Sequence, residues 1–567
     1  MQKVLQAKIY AELERAPDRR CFGFVDGQGA VRWRTGEEFF RRAEHHAAHL
    51  QAAGLGRGDV CVIVLPSKEH SATTLMASLL LGAIPLMVAP PMIQGGLSSL
   101  TTILLRTVRK TRARVVVCDD SLADIVGDLR RSRRATRCLV GEHAFEGDAG
   151  RVAPVTPDEG DVAAYQLTSG TTGFPRVCVW RQRGVIAALD GMLPAMDLGR
   201  DDVCFNWTPL YHDMGLVNNF FLCLANGIPM VMMSPQDFVR RPALWLRGLW
   251  QTGSTVTWSP NFGFALAAKA ASDKDLEGVR LDGVKGFWNA AERIHLETIR
   301  QFRDRFAPYG VRPEAVKTNF GCAENVGGAT FSDPHGDIVY ERVDRNALQE
   351  KRVAVPVAGD GDGRATMTVV SAGRAAPGIE VLILSRTGKP LVDGHVGEVA
   401  LRTPSRLERY LGNGKATARA RLRDLLRTGD LGYLRNGELF WVGRVRERIA
   451  MFGKKVDPSD FERVLLGVDG LRPGCFAAFG VDDAERGTQR MVVVSEVRDD
   501  TSREADEIAS DVRDHVGREL GIDVSEVLLV PKGTLTKTSS GKRRHRHFRQ
   551  LYLEGNLQKH QLQLQNV

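Results

Sequence analysis

Between residues 36 and 53 apolar positions recur at threes and fours, the spacing of a helix with one buried stripe. A Gly-bounded turn over 54–59 follows, then a short, wholly apolar run over 60–65 that reads as a buried strand. Helix and strand alternate again from 67 to 119, ending in a strand over 114–118 behind a basic helix. The most apolar stretch, 75–93, contains Pro85, Pro90 and Pro91, which a single spanning helix would tolerate poorly. It is expected to be a buried helix, a turn at 82–85 and a buried strand, with no membrane span. This alternation predicts parallel sheets covered by helices.

The pattern restarts near 161 and runs to about 325. Residues 359–363, Gly-Asp-Gly-Asp-Gly, read as a turn, and from 368 the chain turns to short Gly-punctuated strands, including 379–384, 396–402 and 438–442. A compact charged stretch, 443–453, precedes a second, shorter α/β pattern. The expected architecture is α/β. A large N-terminal domain, 1–443, holds two α/β sheet subdomains and a small β-rich subdomain, and a small C-terminal α/β domain, 444–567, follows. The Gln-rich end, 558–567, is expected to be a frayed helix end or disordered.

Composition narrows the function classes. A chain of 567 residues exceeds a single core. The formal charge of +9 raises nucleic-acid binding, but the charges are interleaved, so an Arg-rich enzyme with anionic small-molecule or carrier partners fits better. The exception is the run from Lys542 through Arg543, Arg544, His545 and Arg546 to His547. Nine scattered Cys form no CxxC pair, which excludes a disulfide framework or a Cys-based zinc site and suits a reducing cytoplasm. The first residues are charged and carry no signal-peptide core.

The sharpest local chemistry is Thr168-Ser169-Gly170-Thr171-Thr172-Gly173-Phe174-Pro175-Arg176. Glycines allow close backbone approach, exposed N–H groups and hydroxyls can cradle an anion, and Arg176 can fork onto phosphate oxygens. No GK[ST] follows, so it is not a Walker A loop.

This loop resembles the signature of the adenylate-forming superfamily, which includes acyl-CoA synthetases, nonribosomal adenylation domains and luciferases. Further blocks resemble that family's in order over about 16–549. Trp207-Thr208-Pro209-Leu210-Tyr211-His212-Asp213-Met214-Gly215-Leu216 is similar to its second block, with the HDMGL ending of fatty acyl-AMP ligases. Asn289-Ala290-Ala291-Glu292 resembles its adenine-binding segment, with Ala290 in place of Gly. Asn319-Phe320-Gly321-Cys322-Ala323-Glu324 resembles its YGxTE block; Phe320 keeps a stacking face, and Glu324 is matched to the Mg²⁺-associated carboxylate. Arg427-Thr428-Gly429-Asp430 resembles its ribose-binding block, Gly443-Arg444 its hinge, and Ser540-Gly541-Lys542 its C-terminal lysine block.

The resemblance implies an enzyme that uses ATP and Mg²⁺ to turn a carboxylic acid into an acyl-adenylate, and it implies that the small C-terminal α/β domain, 444–567, is mobile. Lys542, Arg176, Glu324 and His212 would act in catalysis. Thr168 to Gly173, Asn289 to Glu292, Asn319 to Gly321, Asp430 and Arg444 would hold the nucleotide. Trp258-Ser259-Pro260-Asn261-Phe262 resembles the acyl-AMP ligase branch's PNF segment, and the long interval between Glu324 and Ser371 contains a stretch from Glu341 similar to that branch's insertion. Both imply transfer to the phosphopantetheine thiol of an acyl carrier protein; the alternative is an acyl-CoA or aryl-CoA ligase. Trp258, Asn261, Phe262 and Trp288 are expected at the acyl pocket. Trp258, Phe287 and Trp288 either shorten that pocket together or pack as core. Two departures stand out: Val177 where the family has Gly, and Arg446 where it has Asp or Lys. A non-enzymatic nucleotide binder would show a degraded site, and the retained Glu324, Asp430, Arg444 and Lys542 argue against it.

Overall fold

A computed structural model describes residues 3–66, 68–90, 97–132, 135–168, 175–358, 366–445, 449–451, 454–456, 458–483, 488–520, 522–538 and 543–561. The turn expected at 359–363 lies outside them, as does most of the Gln-rich end.

The helix Gly36–Ala52 starts at Thr35, whose hydroxyl accepts the Glu38 N–H while the Glu38 carboxylate accepts that of Thr35. It packs on the helix Glu69–Leu80, which is buried on nearly every side and joins two all-apolar strands, Val60–Val64 and Ile84–Met87. With Val115–Cys118 and Arg137–Val140 these form the parallel part of a seven-stranded sheet. Val162–Leu167 adds in parallel beside Ile84–Met87 and turns back antiparallel as Val177–Arg181. The phosphate loop thus caps a hairpin at the end of this sheet.

A larger sheet of 15 strands holds the parallel run Cys204–Asn206, Val256–Pro260, Gly286–Ala290 and Val316–Cys322. The β-rich part, Thr366 to Arg444, forms no separate sheet: its strands continue this one through Gly327–Phe331, except the short Arg409–Tyr410, which joins the seven-stranded sheet. One element was not foreseen. Arg20–Val25 and Val31–Thr35 form an N-terminal hairpin on the sheet's far edge, and Val-Arg-Trp-Arg-Thr carries the apolar/polar alternation of a half-buried strand.

Residues beyond 460 build a three-stranded sheet from Leu471–Asp483, Thr488–Val497 and Val524–Val530, with a distinct apolar cluster on each face. The chain is therefore a large N-terminal α/β domain followed by a smaller one. The small domain touches the large one through the buried ion pair of Arg293 with Asp460. No described helix is long and apolar enough to cross a membrane.

Candidate active site

Thr168 and Arg176 close the neck of the phosphate loop. The Thr168 N–H donates to the Arg176 carbonyl at 2.9 Å, and the Arg176 N–H to the Thr168 hydroxyl at 3.1 Å. Ser169, Gly170, Thr171, Thr172 and Gly173 lie outside the described residues. The Arg176 guanidinium sits 5.1 Å over the ring of Tyr410, a cation–π contact. That phenol donates to Glu324 Oε1 at 2.5 Å, and burial, reinforced by Glu324, pushes its pKa far up, so it keeps its proton. Loop base, Tyr410 and Glu324 form one connected unit.

Glu324 lies in the single 3-10 turn Ala323–Asn325, where the strand Val316–Cys322 reverses into Gly327–Phe331. The reversal uses left-handed backbone at Val326 (φ 56°) and Gly327 (φ 100°). The two strands run so close that a Cβ on Gly321 would stand 2.6 Å from the Gly327 carbonyl oxygen. Asn319 donates to the Thr330 carbonyl at 2.5 Å and so holds this hairpin. Phe320 is buried in the main core cluster.

Asp430 and Arg444 face each other across the antiparallel strands Leu425–Arg435 and Glu438–Arg444. Asp430 Oδ1 accepts from Trp441 Nε1 at 3.1 Å and from Arg444 Nε at 3.2 Å. The half-buried thiol of Cys322 is pushed well up by desolvation and then by the negative charges of Glu324, Asp430 and Asp213, one from each of three separate motifs.

His212 precedes a helix whose middle, Leu216–Phe221, is wound as π-helix. Its Nδ1 is 2.8 Å from Asp213 Oδ1. A proton on Nδ1 serves that carboxylate, and the Met214 N–H then goes to Asp213 Oδ1 at 3.0 Å. Gly215 is required for packing, since a Cβ there would meet the Pro209 carbonyl oxygen at 2.2 Å.

Trp258 and Trp288 are in register on adjacent parallel strands, with rings 5.5 Å apart and 23° from parallel, both buried. Phe287 is not with them. Strand alternation turns it to the opposite face, against Trp245 and Phe302, so the expected three-ring cluster is a pair. Asn261 Oδ1 accepts from Asn289 Nδ2 at 3.1 Å and from the His295 N–H at 3.2 Å, tying the PNF segment to the adenine block. Asn289 Oδ1 is buried without a hydrogen-bond partner among the described residues. Ala290 ends its strand, and Ala291 carries a left-handed φ of 71°, a strain position at the centre of that block. Glu292 Oε1 accepts the Phe262 N–H at 2.7 Å, and Phe262 meets Trp207 edge-on.

Lys542 lies outside the described residues, but its neighbour Arg543 does not. Arg543 is half-buried, 4.7 Å over the Phe476 ring. Desolvation lowers its pKa while Glu292, in the adenine block, favours its charge. His295 is pushed down to about 3 by burial and then by Arg293.

Tyr410, Trp441 and Arg543 were not singled out from the sequence. Tyr410 reaches the site through a two-residue strand, Arg409–Tyr410, paired with Val177–Arg181, too short for any pattern to reveal. Arg543 offered only its place beside Lys542. Among the described residues no three His, Cys, Asp or Glu side chains form a metal cluster. A Mg²⁺ shared with nucleotide phosphates needs fewer, and Glu324 Oε2 makes no hydrogen bond with any described residue, so the site fits that use.

Residues 9–411 match the family model of AMP-binding enzymes. The chain is 30% identical to the long-chain-fatty-acid–AMP ligase FadD26 of Mycobacterium marinum, over 70% of each chain. It is 27% identical to a putative fatty-acid–CoA ligase, fadD25, of Mycobacterium tuberculosis, over 94% of this chain and 95% of that one. A solved structure from studies of the fatty acyl-adenylate ligases of E. coli and L. pneumophila superposes with a TM-score of 0.89 at 26% identity, covering 97% of this chain and 98% of that one. The chain belongs to the AMP-binding enzyme family. Within it, this protein is an adenylate-forming ligase that uses ATP to activate a carboxylic acid.

Proposed function

We propose that the enzyme makes a fatty or related acyl-adenylate and passes the acyl group to the phosphopantetheine thiol of an acyl carrier protein. A substrate carboxylate oxygen attacks the α-phosphorus of ATP, and the bond to the bridging oxygen of pyrophosphate breaks. Negative charge spreads over the transferring group, and Arg176 and Lys542 answer it. Mg²⁺ beside Glu324 would supply further charge neutralisation to the phosphates. The loop 168–173, the block Asn289 to Glu292 and Phe320 hold the nucleotide, and Asp430 accepts from the ribose hydroxyls. His212 lines the approach of the carboxylate and takes no proton, because the nucleophile is already an anion. Trp258 and Trp288 wall the acyl pocket. The domain 444–567 then turns against 1–443, Lys542 withdraws, and a thiol sulfur attacks the acyl carbonyl as AMP leaves.

The observation that carries the choice of acceptor is the anchorage of the insertion. Glu341 accepts from the Tyr433 hydroxyl at 3.0 Å and pairs with Arg435 at 2.6 Å. Further on, Ala347–Lys351 packs on the strand Lys454–Val456, and Gln349 reaches Asp460, which Arg293 also holds. A segment fastened to the large domain and touching the small one would restrict its rotation and deny CoA a productive pose. A carrier protein brings docking energy that CoA lacks. Acid, ATP and CoA should give adenylate and little acyl-CoA, whereas a holo carrier from the same source should become acylated by intact-protein mass. Shortening 341–363 should raise CoA transfer. Rapid acyl-CoA formation by the unaltered enzyme would sink the carrier reading in favour of a CoA ligase.

A further inference from the structure

A second cavity, of about 940 Å³, lies outside the carboxyl ends of the seven-stranded sheet. Val60–Val64 has Ile84–Met87 on one side and Val115–Cys118 on the other, so the chain leaves it to one side and then crosses back over it to the other. That reversal is where doubly wound sheets open a ligand crevice. The cavity wall includes Lys68, Glu69 and His70, which follow Val60–Val64, and Glu142 and Phe145, which follow Arg137–Val140. The AMP-binding blocks make no part of it.

Its centre carries an excess of cation. Glu69 is 7% exposed and is the common partner of Arg32, Arg34 and Arg42, with the Nε atoms of the last two at 2.9 and 3.0 Å from Oε1. Three guanidiniums on one carboxylate leave a net charge of +2 at that point. Among the described residues, the Nη groups of Arg34 and Arg42 engage nothing, and Lys68 makes no ion pair. Asp26, another carboxylate in the wall, is turned to its own loop, accepting the Gln28 and Ala30 N–H groups at 2.9 Å. The N-terminus of the twelve-residue helix Glu69–Leu80 opens on the same space. The rest of the wall is aromatic and apolar: Phe145 stacks on His46 at 4.3 Å, near Phe24 and Met232. His70 Nε2 is buried there without a hydrogen-bond partner among the described residues.

A cluster built only to staple Glu69 needs neither the idle guanidinium edges nor a nucleotide-sized void beside them. We infer that this cavity is a second ligand site, taking a nucleoside monophosphate with its phosphate on the Arg34–Arg42–Lys68 group and its base among Phe24, His46 and Phe145. Idle N–H forks match phosphate oxygens, and aromatic walls offer stacking faces.

The test uses the full enzyme with its adenylation site filled by a non-hydrolysable acyl-sulfamoyl adenosine, whose own one-to-one titration is measured first. AMP, adenosine and inorganic phosphate are then titrated by calorimetry. AMP should bind at one further equivalent, and adenosine and phosphate each about ten-fold or more weakly, because each lacks one half of the recognition. Arg34→Gln with Arg42→Gln should weaken AMP about ten-fold or more while leaving the mimic's affinity unchanged. Lys68→Gln changes one exposed side chain, so it keeps the test independent of folding; it should weaken AMP several-fold. Absence of a second equivalent, AMP binding no tighter than phosphate or adenosine, or binding unmoved by both sets of substitutions would overturn the inference. Failure of the mimic to bind would count against the adenylation site alone, because the second site is judged by its loss in Lys68→Gln.

Discussion

Glu324 and Asp430 are both acids of the adenylation site, yet their surroundings differ. Glu324 has one neutral donor, the Tyr410 hydroxyl, and a second oxygen uncommitted among the described residues. Asp430 gives one oxygen to a cation and an indole together, Arg444 and Trp441, and is almost fully buried. A carboxylate whose neighbours leave its charge unanswered is suited to meeting a cation. One already paired with a guanidinium is suited to receiving neutral hydroxyls without the cost of an unpaired buried charge. Two residues of one charge type are thus suited by their neighbours to the metal and ribose roles proposed for them.

The comparison breaks most sharply at Glu324. Glu324→Gln keeps the acceptor for Tyr410 and removes the charge, so adenylate formation should fall by about 10² to 10³. Pyrophosphate release titrated against Mg²⁺ checks it, and an unchanged Mg²⁺ requirement would remove Glu324 from that role. Asp430→Ala should act on binding instead: ATP affinity should weaken by roughly 1 to 3 kcal/mol, because ribose hydroxyls and Arg444 both lose an acceptor. If kcat falls at unaltered ATP affinity, the two acids are not divided as argued. Tyr410→Phe keeps the ring under Arg176 and deletes one hydrogen bond, so a loss of about three- to ten-fold is expected, read as a shift in Mg²⁺ dependence. Smallest for the rate on the best acid should be Trp258→Ala, which carries no charge. It should widen the range of acids accepted, while Phe287→Ala should leave that range alone; the same acid panel on both variants decides it.

That last pair shows how far the sequence could be read. The blocks around Thr168, His212, Glu324 and Asp430 stand out in the sequence because the phosphate and ribose chemistry proposed for them demands hydroxyls, glycines and carboxylates at short, fixed spacing. Phe287 was misplaced although period two alone puts neighbouring strand residues on opposite faces. The alternating sheets were legible in their apolar runs. The hairpin at 20–35 carries its own signal in the alternation of Val31-Arg32-Trp33-Arg34-Thr35, whereas the pairing of Arg32 and Arg34 with Glu69, on a helix distant in sequence, has none. Tyr410 and Arg543 reach the site only through tertiary contact, which no local pattern encodes.

On the ribose and hinge roles proposed above, the bond between Asp430 and Arg444 reaches beyond the ribose. Arg444 is the last residue of its strand, where the chain leaves the large sheet for the small domain. A ligand hydroxyl drawing on this carboxylate and a swing that carries Arg444 away act on the same interaction. Occupancy and orientation are therefore linked quantities. The factor by which nucleotide favours one pose of the small domain is the factor by which that pose tightens nucleotide, so an affinity measured in two locked poses would report the leverage of the hinge.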